Sequence, residues 1–391
     1  MKLIYLTSRF PYPINKGDKL RSFNQIKQLS STCDIYLISL SDKLVNSGDV
    51  EQLKNYCKEI YIYQISFFRR ILNLLKTFIN NRPFQVNYFY CSSIQKKIDA
   101  TISHIKPDHI FCQLVRTALY VKDNHSIPKT LDYMDALSKG LERRIQISNF
   151  LERPFVKIEY ERMKQFENLA FEFFDKKIII SKSDRNQITH IDHSKIKIIP
   201  NGIDTEYYKN IKIQKNYDLI FIGNLSYRPN IEAALYIANK IYPIIKKELP
   251  DIKIHIAGSN PNKRILRLVN EGIKVSGWVE DVRKTYCSGK VFFAPMTIGS
   301  GLQNKLLEAM SLSIPCITSK LCNESLMGKN MENIIIGNSI EDYIEKIIQT
   351  LNDVKLRDRI GNSGRKYVVE NFSWESSNKE LIKILSDKQS S

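Results

Sequence analysis

The sequence of 391 residues lacks any apolar run of the about 18–20 residues that a membrane-spanning helix requires. Its N-terminal apolar run is interrupted by Arg9, before a signal-peptide core of about 7–15 apolar residues could form. We therefore interpret residues 2–7 as the first buried strand of a sheet, and we expect a cytoplasmic protein.

Closely spaced metal ligands are also absent from the sequence. The seven cysteines are odd in number and scattered, and they form no Cys-x-x-Cys pair, so neither a zinc site nor a disulfide framework is supported. No Asp-x-Asp pair follows a predicted strand, and the six histidines show no ligand spacing. The sequence predicts buried thiols in a reducing compartment and no bound metal or cofactor.

Acidic residues are few, with 41 Asp and Glu against 59 Lys and Arg, which gives a formal net charge of +18. This excess favours an anionic partner such as nucleic acid, anionic lipid or a phosphorylated substrate, although AT-rich coding would produce a similar bias. The basic residues are spread along the chain, and the sequence contains no known nucleic-acid recognition motif. We therefore expect no nucleic-acid partner.

The chain does contain a regular alternation of apolar, strand-like runs with helix-like stretches, which is typical of βαβ units and an α/β fold. A second series of alternating strands and helices begins after Pro200-Asn201-Gly202, and the length of the chain suits two domains. We predict Rossmann-like domains at 1–200 and 201–370, facing each other across a ligand-binding cleft. The predicted strands are 2–7, 35–40, 59–65, 109–113, 130–134, 177–181, 197–199, 218–222, 253–257, 273–275, 291–294 and 315–318.

Two helical segments of the first half are unusual. Residues 136–174 read as one long helix rich in Arg and Glu, and residues 66–79 as an amphipathic basic helix. The second helix would dock on an anionic membrane face that carries the acceptor, or it would cover the sheet. The sequence does not choose between the two. Its predicted apolar face contains Phe67, Phe68, Ile71, Leu74, Leu75 and Phe78, opposite Arg69, Arg70 and Lys76.

The most informative segment, 298–310, follows an apolar strand, passes Gly299 and Gly301, and opens an apolar helix. Glycines allow close approach of an anion, and the helix N-terminus offers free N–H groups. Lys305 would contact a phosphate, and Glu308, one turn later, would accept from ribose hydroxyls. The alternative is an ordinary Lys–Glu pair on a helix surface. Ser300 and Leu302 complete this candidate donor site.

A second segment, 221–230, ends a strand at Gly223 and continues through Asn224 and Arg228 into a helix. The Arg228 guanidinium would bind a diphosphate in bidentate fashion, or it is a solvated loop arginine. Trp278 and Val279 follow a short strand and would offer an apolar wall to a nucleobase.

In the first half, the loop after the first strand contains Gly17, Lys19 and Arg21, which would bring N–H groups and positive charge to a phosphate. Asp135 follows a later strand and would orient a substrate hydroxyl. The alternative is that Asp135 caps the next helix.

Taken together, these segments resemble the family-4 retaining glycosyltransferases of the GT-B fold, in the branch found in bacterial exopolysaccharide and surface-glycan gene clusters. The resemblance covers nearly the whole chain, and it implies that residues 371–391 form a helix that returns to the first domain. It is carried by residues 10–13 with Gly17 and Arg21, and by 132–138, 199–204, 221–230, 303–310 and 372–374.

The chain departs from the family pattern at three places. The family has two glutamates eight positions apart, and Glu308 matches the second while Ser300 stands at the first. Contacts to the donor sugar would then come from Ser300 or from backbone N–H groups of Gly301 and Leu302. Asn224 replaces the usual arginine, and Arg228 is the expected substitute. No histidine matches the one usual in the first domain, where Met134 or Asp135 falls.

The resemblance implies transfer of a sugar, with retained configuration and without metal, from a nucleoside-diphosphate sugar to a glycan or lipid-linked acceptor. Arg228 and Lys305 would stabilise the departing β-phosphate. Asp135 completes the expected catalytic set. A sugar-nucleotide epimerase of the same fold is the nearest alternative, and a basic nucleic-acid-binding protein is a more distant one.

Overall fold

The chain divides into two compact units in a computed structural model that describes residues 1–298 and 302–387. The first unit comprises Met1–Asn201 together with the residues from Ser377 onward, and the second comprises Gly202–Ser376. Each unit is an α/β domain built on one parallel sheet, which confirms the predicted fold class.

The first unit contains a seven-stranded parallel sheet with the strand order β3-β2-β1-β4-β5-β6-β7. Its inner strands are buried on both faces, as expected of a parallel sheet covered by helices. The strands are β1 (Lys2–Thr7), β2 (Asp34–Ser41), β3 (Glu59–Gln64), β4 (His109–Gln113), β5 (Lys129–Asp132), β6 (Lys176–Ile179) and β7 (Lys197–Ile198).

The helices of this unit fall on the connections between its strands. They are α1 (Gly17–Leu29), α2 (Ser47–Lys54), α3 (Phe67–Leu75), α4 (Thr77–Asn80), α5 (Phe84–Phe89), α6 (Ser92–Ile105), α7 (Leu137–Ile147), α8 (Arg153–Glu172) and α9 (Lys182–Arg185). Short 3₁₀ turns occur at Val115–Tyr120 and His193–Lys195.

The second unit contains a six-stranded parallel sheet with the order β10-β9-β8-β11-β12-β13. Its strands are β8 (Tyr217–Ile222), β9 (Ile254–Ala257), β10 (Ile273–Ser276), β11 (Gly289–Ala294), β12 (Cys316–Ser319) and β13 (Ile335–Gly337). Its helices are α10 (Arg228–Tyr236), continued by a π-helical turn at Ile237–Ile241, α11 (Tyr242–Glu248), α12 (Lys263–Leu266), α13 (Val282–Cys287), α14 (Asn304–Ser311), α15 (Lys320–Leu326), α16 (Ile340–Asn352) and α17 (Val354–Phe372).

The last helix, α18 (Trp374–Ser386), begins in the second unit, and from Ser377 it belongs to the first. Its apolar side chains Leu381, Ile384 and Leu385 lie in the same buried cluster as residues of β1 and α1. The ammonium group of Lys176 donates a hydrogen bond to the carbonyl of Ile384 at 2.5 Å. Helical spacing of these apolar residues explains why one face of α18 is buried.

The segment 136–174, predicted as one helix, is in fact two, α7 and α8, separated by the segment 148–152. Glu167 of α8 accepts hydrogen bonds from the backbone N–H (3.2 Å) and the hydroxyl (2.6 Å) of Ser138. A carboxylate from a second helix therefore caps the N-terminus of α7, and this contact requires the chain to reverse between the two.

Most predicted strand ends are within two residues of the observed ones, and three further differences have a local cause. The segment 66–79 is divided at Lys76 into α3 and α4. Strand β5 ends at Asp132 instead of 134, because Met134 has a φ of +58°, which lies in the left-handed region. Strand β13 was not predicted, since three residues are too few to display an alternating pattern.

Both sheets have the same arrangement around their first strand. In the first unit β1 lies between β2 and β4, and in the second β8 lies between β9 and β11. The connections that leave β1 and β4, or β8 and β11, therefore diverge in opposite directions. Such a reversal leaves an open crevice at the carboxyl ends of the two strands, where α/β proteins usually bind ligands.

The residue that follows β9 must be a glycine, because the chain there lies very close to the end of β8. Gly258 has a φ of +152°, and a Cβ atom there would lie 1.6 Å from the carbonyl oxygen of Gly223. We expect Gly258→Ala to lower the stability of the second unit by about 2–4 kcal/mol, from backbone strain and overpacking combined. Calorimetric melting of the full chain measures this loss.

Gly140→Ala is the matched control, because Gly140 lies inside α7 with open space around it. Alanine there should raise stability by about 0.5–1 kcal/mol through its better helix propensity. Equal melting temperatures for Gly258→Ala and the wild type would contradict the close contact.

Candidate functional site

The candidate site of the second unit lies at the carboxyl ends of β8 and β11. These strands are parallel neighbours, with Ile220 paired to Phe292. Gly223 follows β8 and leads to α10, while the chain after β11 leads to α14. The N-termini of α10 and α14 therefore belong to the two connections that diverge at this crevice.

Lys305, in the first turn of α14, is half-buried, and its hydrogen-bond partners among the described residues are neutral. Its ammonium group donates to the side-chain oxygen of Asn230 in the first turn of α10. It also lies 3.7 Å from the sulfur of Met296 and 5.5 Å from the centre of the Phe221 ring. Lys305 thus connects the starts of the two helices that the sequence singles out.

Burial without an ion-paired carboxylate has an electrostatic consequence for Lys305. Desolvation lowers the pKa of its ammonium group to about 8. The helix dipole adds a further unfavourable field, because a cation stands at the positive end of α14. An anion placed against Lys305 would relieve both effects, so this residue is a candidate anion-binding group.

Asn230 holds Lys305 through a close fit against the end of β8. Its amide nitrogen donates to the carbonyl of Asn224 at 2.9 Å while its oxygen accepts from Lys305. A Cβ atom at Gly223 would lie only 2.7 Å from the Asn230 amide nitrogen. Gly223 is therefore required for packing of Asn230, and the side chain of Asn224 is engaged locally by hydrogen bonds from Ser226.

Arg228 is the first residue of α10, two positions before Asn230, and its side chain is exposed. No hydrogen bond or ion pair joins it to another residue within 1–298 and 302–387. Like Lys305, it is a cation at the N-terminus of a helix, where positive charge is unfavourable for the helix itself. Two such cations at neighbouring helix starts favour a multiply charged anion.

Glu308 lies one turn after Lys305 and is also half-buried. Its carboxylate accepts a hydrogen bond from the hydroxyl of Tyr286 at 2.8 Å, and Tyr208 also donates to it. Desolvation raises the pKa of Glu308, and these tyrosine hydrogen bonds and the nearby Lys305 oppose the rise. A carboxylate offers about four acceptor positions, so Glu308 retains capacity for a further hydroxyl donor.

The other donor-site candidates are placed as follows. Trp278 and Val279 follow β10, and the Trp278 side chain is 75% exposed, which leaves its ring free to stack on a ligand. Leu302 is partly buried against the core of the second unit. Gly299, Ser300 and Gly301 lie outside the described residues.

In the first unit, Arg21 is completely buried and forms an ion pair with Asp132 at the end of β5, with 2.6 Å between Nε and Oδ2. Its Nη1 atom donates to the side-chain oxygen of Asn201 at 2.9 Å. The buried Nη2 atom has no partner within the described part of the chain. Arg21 is thus largely engaged by the fold, whereas Gly17, the first residue of α1, is exposed.

Asp135 is exposed just beyond the end of β5, and Met134 beside it has the left-handed φ already noted. Local desolvation, followed by the carboxylates of Asp184 and Asp132, raises the pKa of Asp135. Asp135 is not the N-cap of α7, since that position is Ala136 and Glu167 provides the capping carboxylate. Unusual backbone at the end of a strand is frequent at functional sites.

Sequence reasoning missed Asn230, Tyr286 and Met296 as members of the site. Asn230 lies inside the segment that was singled out, but an asparagine after a Pro carries no signal for contact with a lysine 75 positions later. Its role depends on the pairing of β8 with β11. Tyr286 could have been found only as one of many tyrosines.

Metal ligands and membrane spans are both missing from the described residues. No group of three or more His, Cys, Asp or Glu side chains in 1–298 and 302–387 is placed to hold a metal ion. Within the same ranges no helix has the length and apolar character needed to cross a membrane.

Most of the second unit matches the sequence model of a known family. Residues 216–353 match the family model described as "Glycosyl transferases group 1". An uncharacterized 44.6 kDa protein in the cps region of Klebsiella pneumoniae is 24% identical, covering 95% of this chain and 96% of that protein. The Escherichia coli UDP-Gal:alpha-D-GlcNAc-diphosphoundecaprenol alpha-1,3-galactosyltransferase is 25% identical over 47% of this chain and 52% of its own length. The match to that enzyme is therefore local and covers about half of each chain.

The fold has close parallels among solved structures. The crystal structure of Anabaena HepE in complex with UDP superposes with a TM-score of 0.61 at 15% identity, covering 99% of this chain and 100% of that chain. At this identity the likeness concerns the fold alone. The second unit is thus similar in sequence to the group 1 glycosyltransferases, and the chain is similar in fold to GT-B structures such as that of HepE.

Proposed function

We propose that this chain is a retaining, metal-independent glycosyltransferase of the bacterial surface-polysaccharide branch of family 4. It transfers a sugar from a nucleoside-diphosphate sugar to a glycan or lipid-linked acceptor. The observation that carries the proposal is the half-buried Lys305, which forms no ion pair with a carboxylate among the described residues and is held by Asn230 where β8 and β11 diverge.

The second unit binds the donor in this proposal. The pyrophosphate lies against Lys305 and Arg228, at the N-termini of α14 and α10, where both cations gain a counter-charge. Glu308 accepts from a ribose hydroxyl, and Trp278 with Val279 supports the base. UDP is the first nucleotide to test, because the HepE crystal structure is a complex with UDP and the name of the galactosyltransferase relative includes UDP-Gal.

In the transfer step, the bond between the anomeric carbon and the β-phosphate oxygen breaks, and the electron pair leaves with the nucleoside diphosphate. The acceptor oxygen forms the new bond on the same face of the sugar, and its proton passes to the departing phosphate oxygen. Lys305 and Arg228 stabilise the charge that develops on this phosphate, which is the function that a metal ion has in other enzymes. Asp135 in the first unit orients a substrate hydroxyl.

We place the reaction in the cytoplasm or at the inner face of the plasma membrane. The name of one relative includes a diphosphoundecaprenol acceptor, which supports a lipid-linked acceptor here. The same relative is a transferase, and this favours transfer over epimerisation by the same fold.

Removing either cation should slow the reaction. We expect Lys305→Ala and Arg228→Ala each to lower kcat by about 10²–10³, the usual loss when one charge-stabilising group is removed. The donor is first identified by thermal stabilisation with a panel of UDP- and GDP-sugars. Turnover is then followed as release of nucleoside diphosphate that depends on the acceptor.

Matched controls exist for both variants. Lys320 is an exposed lysine at the start of α15, after the next strand of the same sheet, and Arg264 is an exposed arginine in α12. Lys320→Ala and Arg264→Ala should retain nearly full activity. Wild-type rates in Lys305→Ala and Arg228→Ala would overturn the assignment.

The lowered pKa of Lys305 predicts a pH dependence. Its folded-state pKa of about 8 lies below the ordinary lysine value, so the active cation is lost as pH rises through about 8. We expect kcat/KM to be level below this pH and to fall about tenfold per pH unit above it, since kcat/KM reports groups of the free enzyme.

An arginine keeps its charge far above this range. The kcat/KM of Lys305→Arg, although lower, should therefore not decline near pH 8. The control Lys320→Ala should retain it. A wild-type profile that stays level to about pH 10, the ordinary range of lysine, would contradict the assignment.

The proposal also predicts that chelation has little effect. Because protein cations supply the positive charge, excess EDTA should leave the wild-type rate unchanged, and added Mn²⁺ should not accelerate it. The measurement is the initial rate before and after chelation with the same donor and acceptor. Loss of activity that Mn²⁺ restores would refute the metal-independent mechanism.

A further inference from the structure

The helices α3 and α4 of the first unit have an inverted distribution of polar and apolar side chains. A stripe of large apolar residues at helical spacing faces solvent, with Phe68 79% exposed, Leu72 52% and Ile79 86%. Helices on globular domains usually turn such a stripe toward the core. Ile71, Leu75 and Phe78 extend this exposed stripe.

The opposite side of α3 and α4 is attached to the domain by polar contacts. Arg70 donates to the hydroxyl of Tyr88 at 2.7 Å, and the buried Asn73 donates to the carbonyl of Tyr90 at 2.7 Å. The buried Thr77 hydroxyl accepts from Asn87 at 3.1 Å. Because these contacts orient the helices, the apolar stripe is held outward by the fold, and it does not cover the sheet.

A second exposed apolar segment lies at the junction of α7 and α8. Phe150 is 89% exposed, Leu151 76% and Phe155 59%. The middle of α8 contacts the α3–α4 region, since Arg162 donates to the carbonyl of Thr77 at 2.9 Å. We call the apolar stripe of α3–α4 together with Phe150, Leu151, Phe155 and Ile158 the apolar face.

Basic residues border the apolar face. Residues 66–82 contain four basic residues and no acidic residue. On the second segment Arg153 and Lys157 are exposed beside the apolar side chains, with Glu142, Glu152 and Glu161 as nearby acids. Of the four basic residues of 66–82, Arg69 and Lys76 are exposed and Arg82 is partly buried, whereas Arg70 is turned toward the domain, where it binds Tyr88.

We propose that the apolar face docks on an anionic lipid bilayer, with the aromatic and aliphatic side chains in the interface and the basic side chains at the headgroups. Amphipathic helices with cationic borders bind anionic membranes in this way. A second copy of the chain is a poorer occupant, because a symmetric contact would bring the basic borders together. This docking requires no catalytic turnover, so it is tested separately from the proposed function.

The test is co-sedimentation of the full chain with vesicles. We expect binding to vesicles of phosphatidylglycerol and phosphatidylcholine in equal parts to exceed binding to pure phosphatidylcholine at least about tenfold. Raising the ionic strength should weaken the binding without abolishing it, because the apolar contribution is not screened by salt.

Two paired variants test the two segments of the apolar face. Each double variant should reduce vesicle binding at least about tenfold. The first combines Phe68→Ser with Leu72→Ser, and the second combines Phe150→Ser with Phe155→Ser. The matched control is Leu266→Ser with Val269→Ser, a pair of exposed apolar residues in the second unit, which should bind as wild type does. All of these side chains are exposed, so melting temperatures should stay near the wild-type value.

Three outcomes would overturn the proposal. The first is a wild-type chain that does not sediment with anionic vesicles. The second is a vesicle affinity that either paired variant leaves unchanged. The third is dimerisation through the apolar face, seen by light scattering as a dimer that Phe68→Ser with Leu72→Ser dissociates, without vesicle binding. Transfer to a water-soluble acceptor should be unaffected in both paired variants, so loss of docking is distinguishable from loss of the proposed function.

Discussion

The contact between Lys305 and Asn230 is the constraint on which the candidate site depends. It joins the first turns of α14 and α10, which follow the neighbouring strands β11 and β8. An amide oxygen, a thioether and an aromatic ring solvate the ammonium group much less well than water does. Keeping Lys305 charged in the folded protein therefore costs free energy. Under the proposed function, the pyrophosphate of the donor offsets that cost when it binds, and this accounts for a lysine where the helix dipole disfavours one.

The first unit also contains a buried cation, Arg21, but this one has a carboxylate partner. Arg21 is matched by the carboxylate of Asp132, and the pair connects α1 to the end of β5. In a buried ion pair of this kind the two charges largely cancel, so little positive potential is left to attract a ligand. Removing one partner lowers the stability of the folded protein by about 3–5 kcal/mol. Lys305 and Arg21 both follow the first residues of a helix, yet only Arg21 forms an ion pair with a carboxylate among the described residues.

The apolar residues of α3–α4 and of α18 show that similar patterns have different uses. In α18, Leu381, Ile384 and Leu385 are buried against β1 and α1. In α3, polar residues face the domain, and the apolar stripe faces solvent. The difference lies in the partners that each helix finds, since α3 meets hydroxyl and carbonyl groups where α18 meets an apolar surface.

Local sequence patterns were enough to predict the α/β class, twelve of the thirteen strands within 1–298 and 302–387, and two βαβ series, because apolar periodicity reflects local burial. It also singled out Lys305, Glu308, Gly223 and Arg228 as residues of segments at strand ends. Three features required the folded chain: the contact between Lys305 and Asn230, the ion pair of Arg21 with Asp132, and the direction in which α3 faces. Such pairings join residues far apart in the chain, and no local pattern encodes the strand order that brings them together.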